Sequence, residues 1–223
     1  MSITVFFLAA AVWLYLRRVR SCRTGAGASA AARARQLRTL AVRLAELFGI
    51  RTQAGALADR FEAGAEGERR TARRLAPLRL RGWTLLHDRA LPYGRANVDH
   101  LAISPRGVVL VLDTKRWSAR WPVSVQAGRL LHGGRDVTHR LDGLQHEAST
   151  VAGVLGVPVI PVAVIDGPAL RGEPLELDGV RIIPAEYAAR RLRTLAAAHR
   201  GYGRRIADQA DRLLPPYANG PAR

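Results

Sequence analysis

Apolar residues at 37, 40, 41, 44, 47 and 48 recur at helical spacing and Gly49 follows them, which predicts a helix from Leu37 to Phe48. A second helical stretch runs from about Leu57 to Ala76, with glycines at 64 and 67 weakening its middle and Pro77 ending it. Beyond Gly82 the period shortens. Trp83–Arg89, Val98–Ser104 and Val108–Asp113 read as strands, and the tight turn Pro105-Arg106-Gly107 makes the last two antiparallel neighbours. Trp121–Gln126 and Arg129–His132 form a short hairpin around Ala127-Gly128. A helix from Arg140 to Leu155 comes next, then the apolar Val157–Ile165 strand and a short strand at Val180–Ile183. Helices over Ala185–His199 and Tyr202–Leu214 precede a Pro-rich end. The order is that of an α/β domain around a central mixed sheet.

The start of the chain follows another rule. Ile3 to Leu16 is an uncharged apolar run, with Arg17, Arg18, Arg20 and Arg23 directly after it. As a helix it is about 21 Å long, against a bilayer core of roughly 30 Å, and snorkelling arginines narrow the gap. No basic residues precede the run and no small-x-small site follows it, which speaks against a cleaved signal peptide. The expectation is a membrane anchor through residues 3–16, with the arginine cluster keeping the main domain cytoplasmic. Thr24 to Ala34, rich in Gly, Ala and Ser, reads as a linker. The expected division is an anchor at 1–20, a basic linker and helix at 21–56, an α/β domain at 57–200 and a basic C-terminal helix with a loose tail at 201–223.

Charge narrows the partners. The net charge is +17, and residues 1–60 contribute ten arginines against Glu46 and Asp59. Such a field favours nucleic acid or an anionic membrane. The one cysteine, Cys22, forms no internal disulfide and excludes a cysteine-based zinc site.

Among 35 cationic side chains, Lys115 is the only lysine. It follows the apolar run Gly107–Leu112, two residues after Asp113, so the amine and the carboxylate point to one side of a strand. In a hairpin centred near Arg106, Asp99 and Asp113 are equally far from the turn and become cross-strand partners. Like charges placed so are destabilising unless a cation lies between them. Glu68 shares the stripe of Ala72, Leu75 and Ala76, where a carboxylate is costly to bury without a partner. Each acid has an ordinary alternative: a salt bridge for Glu68, a turn cap for Asp99, a surface ion pair for Asp113. Their convergence on the sole lysine favours a metal-dependent site.

These residues carry a resemblance. Gly64-Ala65-Glu66-Gly67-Glu68, Asn97-Val98-Asp99-His100-Leu101, Gly107 to Lys115 and Gln145 together resemble the nuclease-related domain, NERD, which is similar to the PD-(D/E)xK nuclease superfamily. The resemblance covers roughly residues 60–195. It implies a restriction-endonuclease-like αβββαβ core, a metal site of Glu68, Asp99 and Asp113, the catalytic lysine at Lys115, and Gln145 facing the site from the helix behind the sheet. The family usually has glutamate where this chain has Asp113. The implied cofactor is Mg²⁺, with Mn²⁺ as an alternative, and the implied partner is nucleic acid, DNA before RNA.

Other residues say less. The six histidines show no helical i, i+4 pair and no zinc spacing, and His100 points away from Asp99. Trp117 and Trp121, set among Arg116 and Arg120, suit either base stacking or hairpin packing. Arg190, Arg191, Arg193, Arg204 and Arg205 read as solvated helix faces. The function expected is a membrane-tethered, metal-dependent nuclease. The alternative is a catalytically weak or inactive nucleic-acid-binding module of the same fold, and a third reading is a basic anchor protein on lipid.

Overall fold

The computed structural model describes residues 25–92, 96–172, 174–197 and 203–217. Three helices come first: α1 (Ala28–Leu37), α2 (Leu40–Leu47) and the long α3 (Gln53–Leu75). Thr39 and Thr52 cap the second and third, their hydroxyls accepting from Val42 N and Gly55 N at 3.4 and 3.0 Å. Strands β1 (Thr84–Ala90), β2 (Asn97–Ile103) and β3 (Val109–Arg116) follow, then β4 (Val123–Gln126), β5 (Arg129–His132) and β6 (Arg135–Asp136). Helix α4 (Asp142–Leu155) leads into β7 (Val159–Asp166), β8 (Leu170–Arg171), β9 (Leu175–Leu177) and β10 (Val180–Pro184). Helices α5 (Ala188–Ala197) and α6 (Gly203–Leu213) close the order.

The main sheet runs β1-β2-β3-β7-β10-β9 and is mixed. β1, β2 and β3 are antiparallel, and β3, β7 and β10 are parallel. Alternation along β3 divides its side chains between two cores. Val109 and Val111 pack with Leu144, Ala148 and Val151 of α4, while Leu110 and Leu112 pack with Leu75 of α3 and Leu192 of α5. A four-stranded sheet, β6-β5-β4-β8, extends the expected hairpin. Its β4–β5 turn places Ala127 and Gly128 at φ 48° and 69°, the left-handed pair that a two-residue hairpin turn demands.

Two expectations change at the N-terminal side. The supposed linker is largely α1, an alanine-rich helix whose first turn is held by the buried Asp88 carboxylate, which accepts from Ser29 N at 2.7 Å. An anion at a helix N-terminus satisfies an orphan amide and meets the positive end of the dipole. The stripe from Leu37 to Phe48 is broken at Arg38-Thr39, so its first residue belongs to α1. The anchor expected at residues 3–16 lies outside the described residues, and no described helix is long and apolar enough to cross a membrane.

Candidate active site

The β2–β3 pairs run from Ile103↔Val109 to His100↔Leu112, a register centred on Arg106. Carried one rung further it faces Asp99 with Asp113, just past the last recorded pair, while β3 stays paired to β7 as far as Arg116↔Asp166. The two acids therefore stand where the β2–β3 ladder ends. On the other side of β2, His87↔His100 and Arg89↔Val98 flank a rung that faces Asp88 with Asp99. Asp88 breaks that ladder with φ 51°, a left-handed conformation that Asp tolerates better than most residues. Its second oxygen accepts from Asn97 Nδ2 at 3.0 Å.

From the α3 side, Glu68 is buried, and Thr71, one turn on, accepts from the Thr114 hydroxyl at 3.0 Å. From the α4 side comes Glu147, on the same stripe as the buried Leu144, Ala148 and Val151. Lys115 is ion-paired with Asp113, and both side chains are largely covered, at 20% and 14% exposure.

These groups act on one another. Burial raises Glu68 to about 7, and Asp88 and Asp113 add to the rise, while the Gly27 amide opposes it. Burial raises Glu147 to about 8, helped by Asp113 and Glu68 and opposed by Lys115. Asp99 is pushed well above the usual carboxylate range, first by burial, then by Glu68, Asp113 and Glu147. Burial also raises Asp88, against its hydrogen bonds from Ser29 and Asn97. Mutual repulsion among buried carboxylates points to one shared acidic pocket.

The donors fit a hard divalent cation. All are carboxylates, and Glu68 Oε2 and Glu147 Oε2 are buried with no hydrogen-bond partner. Such orphaned oxygens are costly unless a proton or a cation satisfies them. As the side chains stand, no group of three or more His, Cys, Asp or Glu among the described residues is drawn together tightly enough to hold an ion. Lys115 instead takes up the charge of Asp113.

Of the expected residues, Glu68, Asp99, Asp113 and Lys115 lie near enough to act on one another's charge, and only Asp113 and Lys115 are in direct contact. Gln145 is engaged elsewhere: its side-chain amide donates to the Asp178 carbonyl at 3.1 Å. Glu147, two residues on and about 200° around the helix, is the α4 residue among the acids. It carries the signal that singles out Glu68, a carboxylate on an apolar stripe. Asp88 shows only once the β1–β2 register is known.

The surroundings are mostly structural. His100 is fully buried beside His87, Nδ1 to Nδ1 2.8 Å, and burial drives its pKa well down. Trp117 stacks on His132 with centroids 5.3 Å apart and packs against the core. Trp121 is half exposed, with the Arg120 guanidinium 5.1 Å from its ring. The outward arginines of α3 are tied down: Arg69 and Arg73 bond Glu66 at 3.1 and 3.0 Å, and Arg74 bonds the buried Asp166 at 2.8 Å.

The family model described as "Nuclease-related domain", NERD, matches residues 63–165, a span that holds Glu68, Asp88, Asp99, Asp113, Lys115 and Glu147. No curated protein and no solved structure matches the chain.

Proposed function

Because residues 63–165 of this chain carry a nuclease-related domain, we propose that the protein is a metal-dependent nuclease that hydrolyses phosphodiester bonds in DNA, tethered to a membrane through residues 3–16 with its main domain on the cytoplasmic side. The observation that carries the reading is the pair of orphaned buried carboxylate oxygens, on Glu68 and Glu147, beside Asp99, Asp113 and the only lysine.

In this reading Asp99, Asp113 and Glu68 hold Mg²⁺, or Mn²⁺ in its place, and Glu147 completes the acidic pocket from α4. When bound, the ion supplies charge neutralisation at the phosphate and acidifies water. The chain's own residues do the rest. Lys115 leaves its ion pair with Asp113 and offers ammonium donors to a non-bridging phosphate oxygen or to the attacking water. Burial of Glu68 and Glu147 keeps bulk water from screening these charges. Asp88 holds Asn97 and the start of α1 and so fixes the rung on which Asp99 stands. It acts through Asp99 and is a positioning residue.

Plasmid and single-stranded DNA are incubated with Mg²⁺, with Mn²⁺ and with EDTA, for the wild-type chain and Lys115→Ala. Cleavage should need the metal and fall at least about 100-fold in the variant, the scale at which removal of one charge-stabilising donor is felt. Either ion should also raise the melting temperature, as a ligand of the native state does. Tight DNA binding with no cleavage under any metal rejects the nuclease reading and leaves a binding module of the same fold.

A further inference from the structure

Outside the acidic pocket, α2 presents surface that the fold does not use. Leu40, Leu47 and Phe48 are 75%, 77% and 76% exposed, and Ile50 just beyond them is 60% exposed. At 100° per residue, Leu47, Leu40, Leu44 and Phe48 fall within one arc of about 100°. The inward side of the helix is served by Val42, which is buried and packs near Gly55 of α3. Arg43 borders the stripe and Arg51 follows Ile50; both are exposed, and neither has an ion pair among the described residues. A contiguous apolar patch of this kind, with Arg43 and Arg51 at its edge and Glu46 turned toward Gly55 of α3, marks an interaction surface.

Charge and chain order select the occupant. A second copy meeting the stripe two-fold would set Arg43 and Arg51 against their own images, on a chain of net charge +17. The Ile3–Leu16 run is apolar on every side, so one stripe of α2 would leave most of it uncovered. A bilayer accommodates both. It takes an all-round apolar segment whole and an amphipathic helix by one face, and the arginines of both favour anionic headgroups. Gly25 to Gly27, the ten-residue α1 and Arg38-Thr39 precede α2 in the described chain.

We propose that α2 lies in the plane of an anionic membrane surface, with Leu40, Leu44, Leu47 and Phe48 in the acyl boundary and Arg43 and Arg51 against lipid phosphates. The stripe enters by about 5–10 Å, the depth typical of interfacial helices. This second contact orients the domain on the membrane, which a single flexible attachment does not do. The inference rests on the membrane tether of the proposed function and not on its nuclease chemistry, since none of these residues is among the acids of the pocket.

The test uses the full chain with Cys22→Ser and Leu44→Cys, labelled at position 44 with a polarity-sensitive fluorophore. Vesicles are phosphatidylcholine with or without phosphatidylglycerol. On anionic vesicles the emission should shift to the blue and be quenched several-fold by spin-labelled acyl chains. The shift should be smaller on neutral vesicles and with Arg43→Glu plus Arg51→Glu. A label at Ser149→Cys, exposed on α4, should stay in water throughout. If the chain sediments with vesicles while the label at 44 stays in water, the proposal is overturned. It is equally overturned if that label is shielded without lipid: dilution that re-exposes it then identifies a second copy, and shielding that survives dilution identifies another segment of the chain.

Discussion

Glu68 and Glu147 share a predicament, each being a carboxylate on the apolar stripe of a helix with one oxygen unpartnered. Without a cation the least costly answer is a proton. Their folded values of about 7 and about 8 lie above the ordinary 4.5, so between these limits the native state binds protons that the unfolded chain has released. The stability they contribute is complete below about pH 4.5 and is lost as the pH rises through 7 and 8. Each group adds a slope of up to about 1.4 kcal/mol per pH unit across its window. Urea unfolding of the metal-stripped chain at pH 7, 7.5 and 8, above the range in which the buried neutral His87 and His100 act with the opposite sign, should show stability falling, and Glu147→Gln should flatten that fall. Stability rising over this interval rejects the picture of neutral buried acids.

At the scale of elements, the fold depends on contacts between segments far apart in sequence. Helix α1 packs along α3, and Gly27 before it has φ +75°, where a Cβ would lie 2.5 Å from the Ala65 carbonyl oxygen. Gly27→Ala meets both the left-handed backbone and that oxygen, so a loss of about 1–3 kcal/mol is expected in chemical denaturation. Amide exchange should speed up first in α1, and an unchanged pattern counts against the docking described. The sequence carries no signal for this docking. Ala28 to Ala34 has no polar–apolar period to read, and its helix is anchored by Asp88, 59 residues away from Ser29. The β2–β3 hairpin is legible because its turn is short and the continuous apolar, valine-rich run Gly107–Leu112 reads as a buried strand. Asp99, Asp113, Lys115 and Glu68 followed from that arithmetic and from a helical stripe. Glu147 is equally readable from Leu144, Ala148 and Val151, whereas the resemblance points to Gln145. Asp88 was not readable, since it needs the register across the longer β1–β2 connection and a positive φ.

For the molecule as a whole, charge governs the approach of a polyanion. The +17 already counts the acids, and among the 35 cations Arg69, Arg73 and Arg74 are engaged with Glu66 and Asp166, and Arg38 with Asp59 and Glu62, so the excess resides on the other arginines. DNA binding should still weaken with salt, by about 0.9 in log–log slope for each phosphate engaged. With about four contacts, affinity falls roughly 50-fold from about 0.1 to about 0.3 M salt. Fluorescence anisotropy on a short duplex measures the slope, and a value near zero rejects electrostatic capture of nucleic acid by this surface.

The bend at Pro105-Arg106-Gly107 has a consequence for which length changes the chain tolerates. Its centre at Arg106 sets the phase of β2 against β3, so adding one residue there slides the ladder by a rung and brings Asp99 opposite a neighbour of the other parity. Asp113 would then meet a residue facing the far side of the sheet. Insertions and deletions belong in other connections, and a bend of altered length marks a descendant in which the acids have lost one another.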